Sequence, residues 1–194
     1  MKIRPAELQD GPQVIPIINQ IFEEMEIPTL QALSTAKLFA ILNKLYQTKT
    51  YRYSYRRMLV AVDDSKDEKK PRVFGVAVSY PEVDEATIDT DLEPYYAQLG
   101  LQPGQELFPD QEAFPGEWYL DSLAVAPNTQ SQGIGSQLLA ATKQLARNHE
   151  YSVLSLNVDL LNPGAKRLYL RQGFRVEKKI TIGPHQYEHM TFEL

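Results

Sequence analysis

Asp121-Ser122-Leu123-Ala124-Val125-Ala126-Pro127-Asn128-Thr129-Gln130-Ser131-Gln132-Gly133-Ile134-Gly135 is the stretch on which the fold turns: an apolar, strand-like run, then a glycine turn that opens a helix. The helix announces itself through Ile134, Leu138, Thr142 and Leu145, which recur at helical spacing and form one stripe. Glycine permits close backbone approach and unusual dihedral angles, and the first amides of a helix have no partner inside it. With the positive end of the helix dipole, those amides form an anion site suited to a pyrophosphate.

Two common phosphate motifs fit poorly. A Walker P-loop ends in Gly-Lys-Ser/Thr, whereas Gly135 is followed by Ser136-Gln137, so the lysine for the outer phosphates is missing. A dinucleotide fingerprint is closer, because Gly133 and Gly135 precede a helix and Asp159 follows the next strand-like run. Against it, Leu138 stands where a third small residue is expected, and the six residues Pro127–Gln132 separate strand from turn.

Outward from the turn, the chain reads as an alternation of strands and helices. Upstream are a short strand at Ile3–Ala6, a helix begun by Asp10 and Pro12, and a helix from about Thr29 to Tyr46. The β-rich runs Met58–Val62 and Val73–Val78 flank a charged tip, Asp63–Lys70, and predict an antiparallel hairpin. Downstream follow a helix to about Asn148, a strand at Val153–Val158, a helix at Pro163–Gln172, and strands at Phe174–Lys179 and Tyr187–Leu194. One compact domain over residues 1–194 is the expectation from length.

Residues 81–117 stand apart. They hold ten Asp or Glu and no Lys or Arg, although the whole chain carries a net charge of only −5. Connections longer than about 12–15 residues inside a compact domain are usually functional or disordered; Tyr95, Tyr96, Phe108 and Phe114 favour an ordered lid, with one helical turn near Leu92–Leu99. The chain has no cysteine, so disulfides, thiolate metal sites and an acyl-cysteine intermediate are excluded. His149, His185 and His189 form no spaced cluster with carboxylates, and no metal is expected. A basic stripe and a membrane-length apolar run are both lacking, so neither nucleic acid nor membrane is an expected partner, and a cytoplasmic location is.

Gln130-x-x-Gly133-x-Gly135 resembles the acetyl-CoA pyrophosphate motif of the GNAT acyltransferase family, and Asp121–Pro127 resembles the strand that precedes it. Asn157, Asn162, Ala165, Leu168-Tyr169 and Gly173-Phe174 resemble the family's downstream segment, and Glu188-His189-Met190 its last strand. The resemblance covers 118–194 closely, 1–78 moderately and 81–117 not at all. It implies an α/β (α+β) fold: a mixed, mostly antiparallel sheet of six or seven strands flanked by helices, splayed between strands four and five.

The resemblance also implies a chemistry, transfer of an acetyl group from acetyl-CoA to a small-molecule or peptide amine by direct attack in a ternary complex. Backbone at Leu123, Ala124 and Val125 is expected to pair with the pantetheine arm, and Gln130, Ser131, Gln132, Gly133, Ile134, Gly135 and Ser136 to hold the pyrophosphate. Asn157, Asn162, Ala165 and Tyr169 complete the expected cofactor contacts, Asn162 having an equal claim to be a plain helix cap. Tyr169 matches the family's general acid. An alkylamine of pKa about 10.4 is neutral in only about one molecule in 2,500 at pH 7, so a carboxylate base would help; Asp121 and Glu117 are the candidates. For the amine, Glu82, Asp84, Glu85, Tyr95 and Tyr96 offer charge and aromatic faces, joined by Asp89, Asp91 and Glu93. A non-catalytic CoA-binding module and a nicotinamide enzyme are the other classes open to these residues. A two-fold dimer is expected from family habit.

Overall fold

The computed structural model describes residues 1–63 and 71–194, so most of the expected hairpin tip at Asp63–Lys70 lies outside the described residues. Seven strands form one sheet: β1 (Lys2–Pro5), β2 (Met58–Val62), β3 (Val73–Pro81), β4 (Glu117–Val125), β5 (Val153–Asp159), β6 (Arg175–Ile182) and β7 (His185–Glu193). Their order is β1-β2-β3-β4-β5-β7-β6. Every neighbouring pair is antiparallel except β4–β5. A doubly wound dinucleotide fold needs a mostly parallel sheet, which excludes the nicotinamide alternative on topology.

Helices cover both faces. On one lie α1 (Gly11–Glu24), α2 (Pro28–Gln31) and α3 (Thr35–Tyr46); on the other lie α5 (Ile134–Asn148) and α6 (Pro163–Arg171). Val14, Ile17 and Ile18 of α1 and Leu38 and Leu45 of α3 join Val60, Val76, Val78 and Ala124 in the first core. Leu138 and Leu139 of α5, each wholly buried, join Ala77, Trp118, Leu120 and Leu156 in the second. Burial of that kind stabilises by about 2 kcal/mol per leucine.

One helix expected at Thr29–Tyr46 is instead two. Pro28 stands at the first position of α2, and Ser34 then caps α3 by accepting from the Lys37 amide at 3.4 Å. A serine that satisfies a free helix amide favours a new start over a continuous helix. The long segment is ordered, with 3-10 turns at Glu82–Asp84 and Thr90–Tyr95 followed by the short helix α4 (Tyr96–Leu99). Leu92, Leu99 and Leu107 anchor it in the first core, where Tyr95, Tyr96 and Phe108 also pack.

Two irregularities in β4 shape the molecule. Its parallel pairing with β5 runs only from Glu117↔Val153 to Leu120↔Leu156, after which β4 continues beside β3 alone. The sheet splays there, as the family resemblance implied. Against β3 the register shifts between Val78 and Ser79, which pair with Ser122 and Leu120, so Asp121 is an extra, unpaired residue. This bulge lets Asp121 and Ser122, though consecutive, both face Arg52 and Tyr53.

Gly75 of β3 sets the approach of α5. A β-carbon there would lie 2.9 Å from the Ala124 carbonyl oxygen and 3.2 Å from both Ile134 Cγ2 and Leu138 Cδ1. The backbone oxygen cannot move aside, so Gly75→Leu is expected to destabilise the fold by about 2 kcal/mol through overpacking. Denaturant unfolding checks this, and an unchanged midpoint would contradict it.

Candidate active site

The splay opens a cleft whose walls come from distant parts of the chain. Asp121, Ser122 and Leu123 line it from β4, Asn157 and Asp159 from β5, Asn162, Ala165 and Tyr169 from α6 and its start, and Glu24 from the end of α1. Arg52, Tyr119, Tyr187 and Glu112 add further polar groups, and Met25 and Ile182 apolar ones. Asp121, Leu123, Asn157, Asn162, Ala165 and Tyr169, all marked by the family resemblance, therefore line one cleft. Nothing in the sequence marks Glu112, Glu24 or Arg52 for this cleft, and Asp159 is marked there only by the dinucleotide fingerprint.

At its centre is Arg52, 2% exposed. Its guanidinium donates to Asp121 at 2.7 Å, Asp89 at 2.9 Å, Tyr80 at 3.0 Å and Glu112 at 3.2 Å, and lies 4.9 Å from the Phe108 ring centroid. Burial works against its charge, but Tyr80, Asp121, Glu112 and Asp89 prevail and hold it more firmly protonated than an ordinary arginine. Removing one partner of a buried pair leaves an uncompensated charge, and here three carboxylates depend on one cation.

Those carboxylates are not equivalent. Asp121 accepts from Arg52, from Tyr80 at 2.8 Å and from Ser122 at 2.7 Å, so donors already occupy it. Glu112 accepts from Arg52 and from the Tyr119 hydroxyl at 2.7 Å. Burial pushes the Glu112 carboxyl up to about 7; Asp121 adds to the effect, against the pull of Arg52 and the Tyr119 hydrogen bond. A carboxyl with that value takes and releases protons near neutrality.

Glu117, the other carboxylate candidate, sits elsewhere. It accepts from the Phe114 amide at 2.9 Å and Ser155 at 2.7 Å, and meets His189 Nε2 at 3.0 Å. Burial raises its pKa, but hydrogen bonds from His189, Ser155 and Phe114 outweigh this and leave it below the ordinary glutamate value. His189 Nδ1 in turn meets Asn157 Oδ1 at 2.7 Å, while Asn157 Nδ2 donates to the Glu112 carbonyl and the Tyr119 hydroxyl. Glu117 and His189 thus brace Asn157 and the Glu112 backbone from behind the cleft.

Tyr169 is buried and lines the cleft. Burial, with Glu24 nearby, raises its phenol to about 12, so it carries its proton throughout the neutral range. Asn162 does act as a helix cap, accepting from the Ala165 amide at 3.0 Å, and also borders the cleft.

The glycine turn lies beyond the cleft lining. Ser131 and Gly133 both adopt left-handed backbone, with φ of 63° and 79°, a conformation that glycine takes without strain. Gly133 occupies the cap position of α5, and no side chain caps the helix there. Its first amides, at Ile134, Gly135 and Ser136, are thus left for a ligand. A β-carbon on Gly135 would stand 3.4 Å from Leu168 Cδ2 and 3.9 Å from Leu123 Cδ2, so a longer side chain would fill the space between β4 and α6. Gln130 donates weakly to the Val125 carbonyl, at 3.4 Å. Ala124 is buried in the first core, and Val125 packs on the second. These residues fit an anionic, pyrophosphate-bearing ligand entering through the splay.

The expected substrate carboxylates are engaged elsewhere. Asp84 pairs with Arg57 at 2.7 Å, Glu85 accepts from the Glu112 and Ala113 amides, and Glu82 accepts from the Gly116 amide. Asp91 accepts from Thr50 at 2.5 Å, and Asp89 is held by Arg52. Tyr95 and Tyr96 pack on the first core, away from the cleft. The ten acids of the segment look alike in the sequence, and only the fold separates those that tie the segment down from Glu112. Among the described residues no group of three His, Cys, Asp or Glu could hold a metal, and no helix is long and apolar enough to cross a membrane.

A splayed antiparallel sheet, with an uncapped glycine turn at one end of the opening and a buried tyrosine and carboxyl within it, defines an acyl-transfer class of protein. The Acetyltransferase (GNAT) family model matches residues 44–174, and the chain belongs to that family of N-acetyltransferases. A crystal structure of an acetyltransferase is 37% identical, covers 100% of this chain and 99% of its own, and superposes with a TM-score of 0.84. An N-acetyltransferase from Staphylococcus aureus Mu50 shares the fold at 24% identity and a TM-score of 0.84, over 99% of this chain and 100% of its own. The GCN5-related N-acetyltransferase 4, chloroplastic, of Arabidopsis thaliana is 39% identical over 57 residues, which are 29% of this chain and only 20% of that relative.

A folded carboxyl held above its unfolded value contributes stability below the unfolded pKa, and that contribution is lost as pH rises through the folded one. The stability of the native protein relative to Glu112→Gln should therefore fall between about pH 4.5 and pH 7 and level off above it. Parallel denaturant titrations of the two proteins across that range test this, and a flat difference would contradict it.

Proposed function

We propose that this chain transfers the acetyl group of acetyl-CoA to a primary amine by direct attack within a ternary complex. The observation that carries the proposal is the cleft at the β4–β5 splay, where Tyr169 and Glu112 line one opening. Glu24, Glu112, Asp121 and Asp159 surround it, with Arg52 already committed to two of them. Such a field attracts an amine that arrives as its ammonium ion.

Acetyl-CoA supplies the acetyl group as an activated thioester. The Ile134, Gly135 and Ser136 amides at the head of α5 would hold its pyrophosphate, and the unpaired edge of β4 at Leu123 and Val125 its pantetheine arm. Glu112 takes a proton from the ammonium ion, which frees the nitrogen lone pair to attack the thioester carbon. As the C–N bond forms and the C–S bond breaks, Tyr169 gives its phenolic proton to the departing sulfur. The nitrogen's remaining excess proton restores the phenol by way of solvent, and Glu112 releases the proton it took to solvent. Asp121 serves as a positioning residue, because it fixes Arg52 and so the direction of Glu112.

Thiol release from acetyl-CoA in the presence of an amine panel is the test, and CoA binding without amine-dependent release would overturn the proposal. Tyr169→Phe is expected to lower kcat by about 10²-fold while KM for acetyl-CoA stays within about threefold; a variant with native turnover removes Tyr169 from the reaction. Because Glu112 acts as its carboxylate, kcat/KM should rise with pH through about 7, and Glu112→Gln should remove that limb. Gly135→Leu should abolish CoA binding, measured by calorimetry, while leaving the circular dichroism spectrum unchanged.

A further inference from the structure

A second, smaller cavity of about 90 Å³ adjoins the cleft. Its walls are Leu107, Phe108 and Pro109 of the 81–117 segment, Ile27 of the α1–α2 connection, and Gly183 and Pro184 of the β6–β7 turn. Met25, Ile182, Tyr187 and Glu112 border both spaces, so Glu112 stands at the seam between them. A molecule with its nitrogen at Glu112 has this cavity within reach of its carbon skeleton.

The walls are fixed. Asp110 accepts from the Gly183 amide at 2.7 Å and so fastens the segment to the β6–β7 turn. Phe108 stacks on Phe22 with ring centroids 6.4 Å apart and lies beneath the Arg52 guanidinium. Apart from Glu112, the one carboxylate in the lining is Asp110, which accepts from that amide; His185 also lines the cavity, and neither Lys nor Arg does. A second ammonium seated here would exchange its water for mostly hydrocarbon walls, with only the hydrogen-bonded Asp110 carboxylate to replace it, at a net cost. Size discriminates too: a cavity that holds a benzene molecule measures about 150 Å³, well above the volume available here.

We infer, on the acetyltransferase reading above, that the acceptor is a singly charged primary amine carrying a short branched aliphatic chain, and that Leu107–Pro109 and Ile182 select it. Diamines and arylalkylamines are disfavoured, the first by desolvation of the distal charge and the second by volume. The acidic segment thus contributes to specificity through its few apolar residues, while most of its charges hold it in place.

Three amines decide the matter: 3-methylbutylamine, 1,4-diaminobutane and 2-phenylethylamine, each assayed with acetyl-CoA. The native protein should show kcat/KM for 3-methylbutylamine about tenfold or more above the other two, the order expected when a pocket gains or loses an apolar group. Ile182→Ala should widen the cavity and bring 2-phenylethylamine to parity, a gain of activity that a misfolded variant cannot mimic. A diamine or aryl preference in the native protein, or an unchanged ranking in Ile182→Ala, overturns the inference and leaves the acetyltransferase reading intact. If every amine leaves acetyl-CoA uncleaved, that reading fails, and calorimetric titration of the same amines into CoA-loaded protein still judges the cavity. Tightest binding of 3-methylbutylamine supports the inference, and any other order overturns it.

Discussion

The burial of one guanidinium governs this molecule. Arg52 precedes β2 in the chain, yet its hydrogen bonds reach β3 through Tyr80, β4 through Asp121, and the long acidic segment through Asp89 and Glu112. A charge removed from water must be matched by partners of good geometry, or it destabilises the fold. Here two of the matching partners, Asp121 and Glu112, also wall the cleft. The same cation that joins segment to sheet therefore also sets the environment in which Glu112 titrates, and structure and chemistry share one contact.

Around that contact the molecule is built in two halves with different duties. The side formed by α5, α6 and the splayed end of β4 is mostly backbone and small side chains, suited to a large, flexible, anionic partner. Across the sheet, the side formed by α1, the acidic segment and β7 is dense with side-chain hydrogen bonds. From Ser155 through Glu117, His189 and Asn157 to Tyr119 and Glu112, each polar group finds a fixed neighbour. Such a fully satisfied network rigidifies what it surrounds, and it surrounds the groups that would meet the amine.

Much of this was legible in the residue order. The strand, glycine turn and helix around Gly133 follow from local rules, and so do β5 and α6, whereas the family resemblance is what pointed to Tyr169. What local rules missed were interactions between distant residues. Thr29–Tyr46 reads as one helix until Ser34 is seen to cap a second. Glu112 is indistinguishable from nine other acids until Arg52, 60 positions earlier, is found beside it. Glu117 and Asp121 drew notice because they sit on β4, but hydrogen bonds to Ser155 and His189 in one case, and to Arg52 and Tyr80 in the other, are set by tertiary packing. Charge density marked the right segment and could not rank its members.

The extra residue in β4 has a further consequence, best expressed as phase. Trp118 and Leu120 point to the α5 side; strict alternation would send Ser122 and Ala124 there too, and Leu123 to the other face. Instead Ala124 lies in the core beneath α1, while Leu123 and Val125 pack toward α5. One inserted residue has therefore exchanged the two faces for the second half of the strand. Loss of the single residue Asp121 would restore a regular ladder, with Ser122 still on the face of Val78 and Leu123 still on that of Ala77, and would strip from the cleft one of two consecutive polar groups. The length of this strand, counted in single residues, is as much a part of the site as any side chain on it.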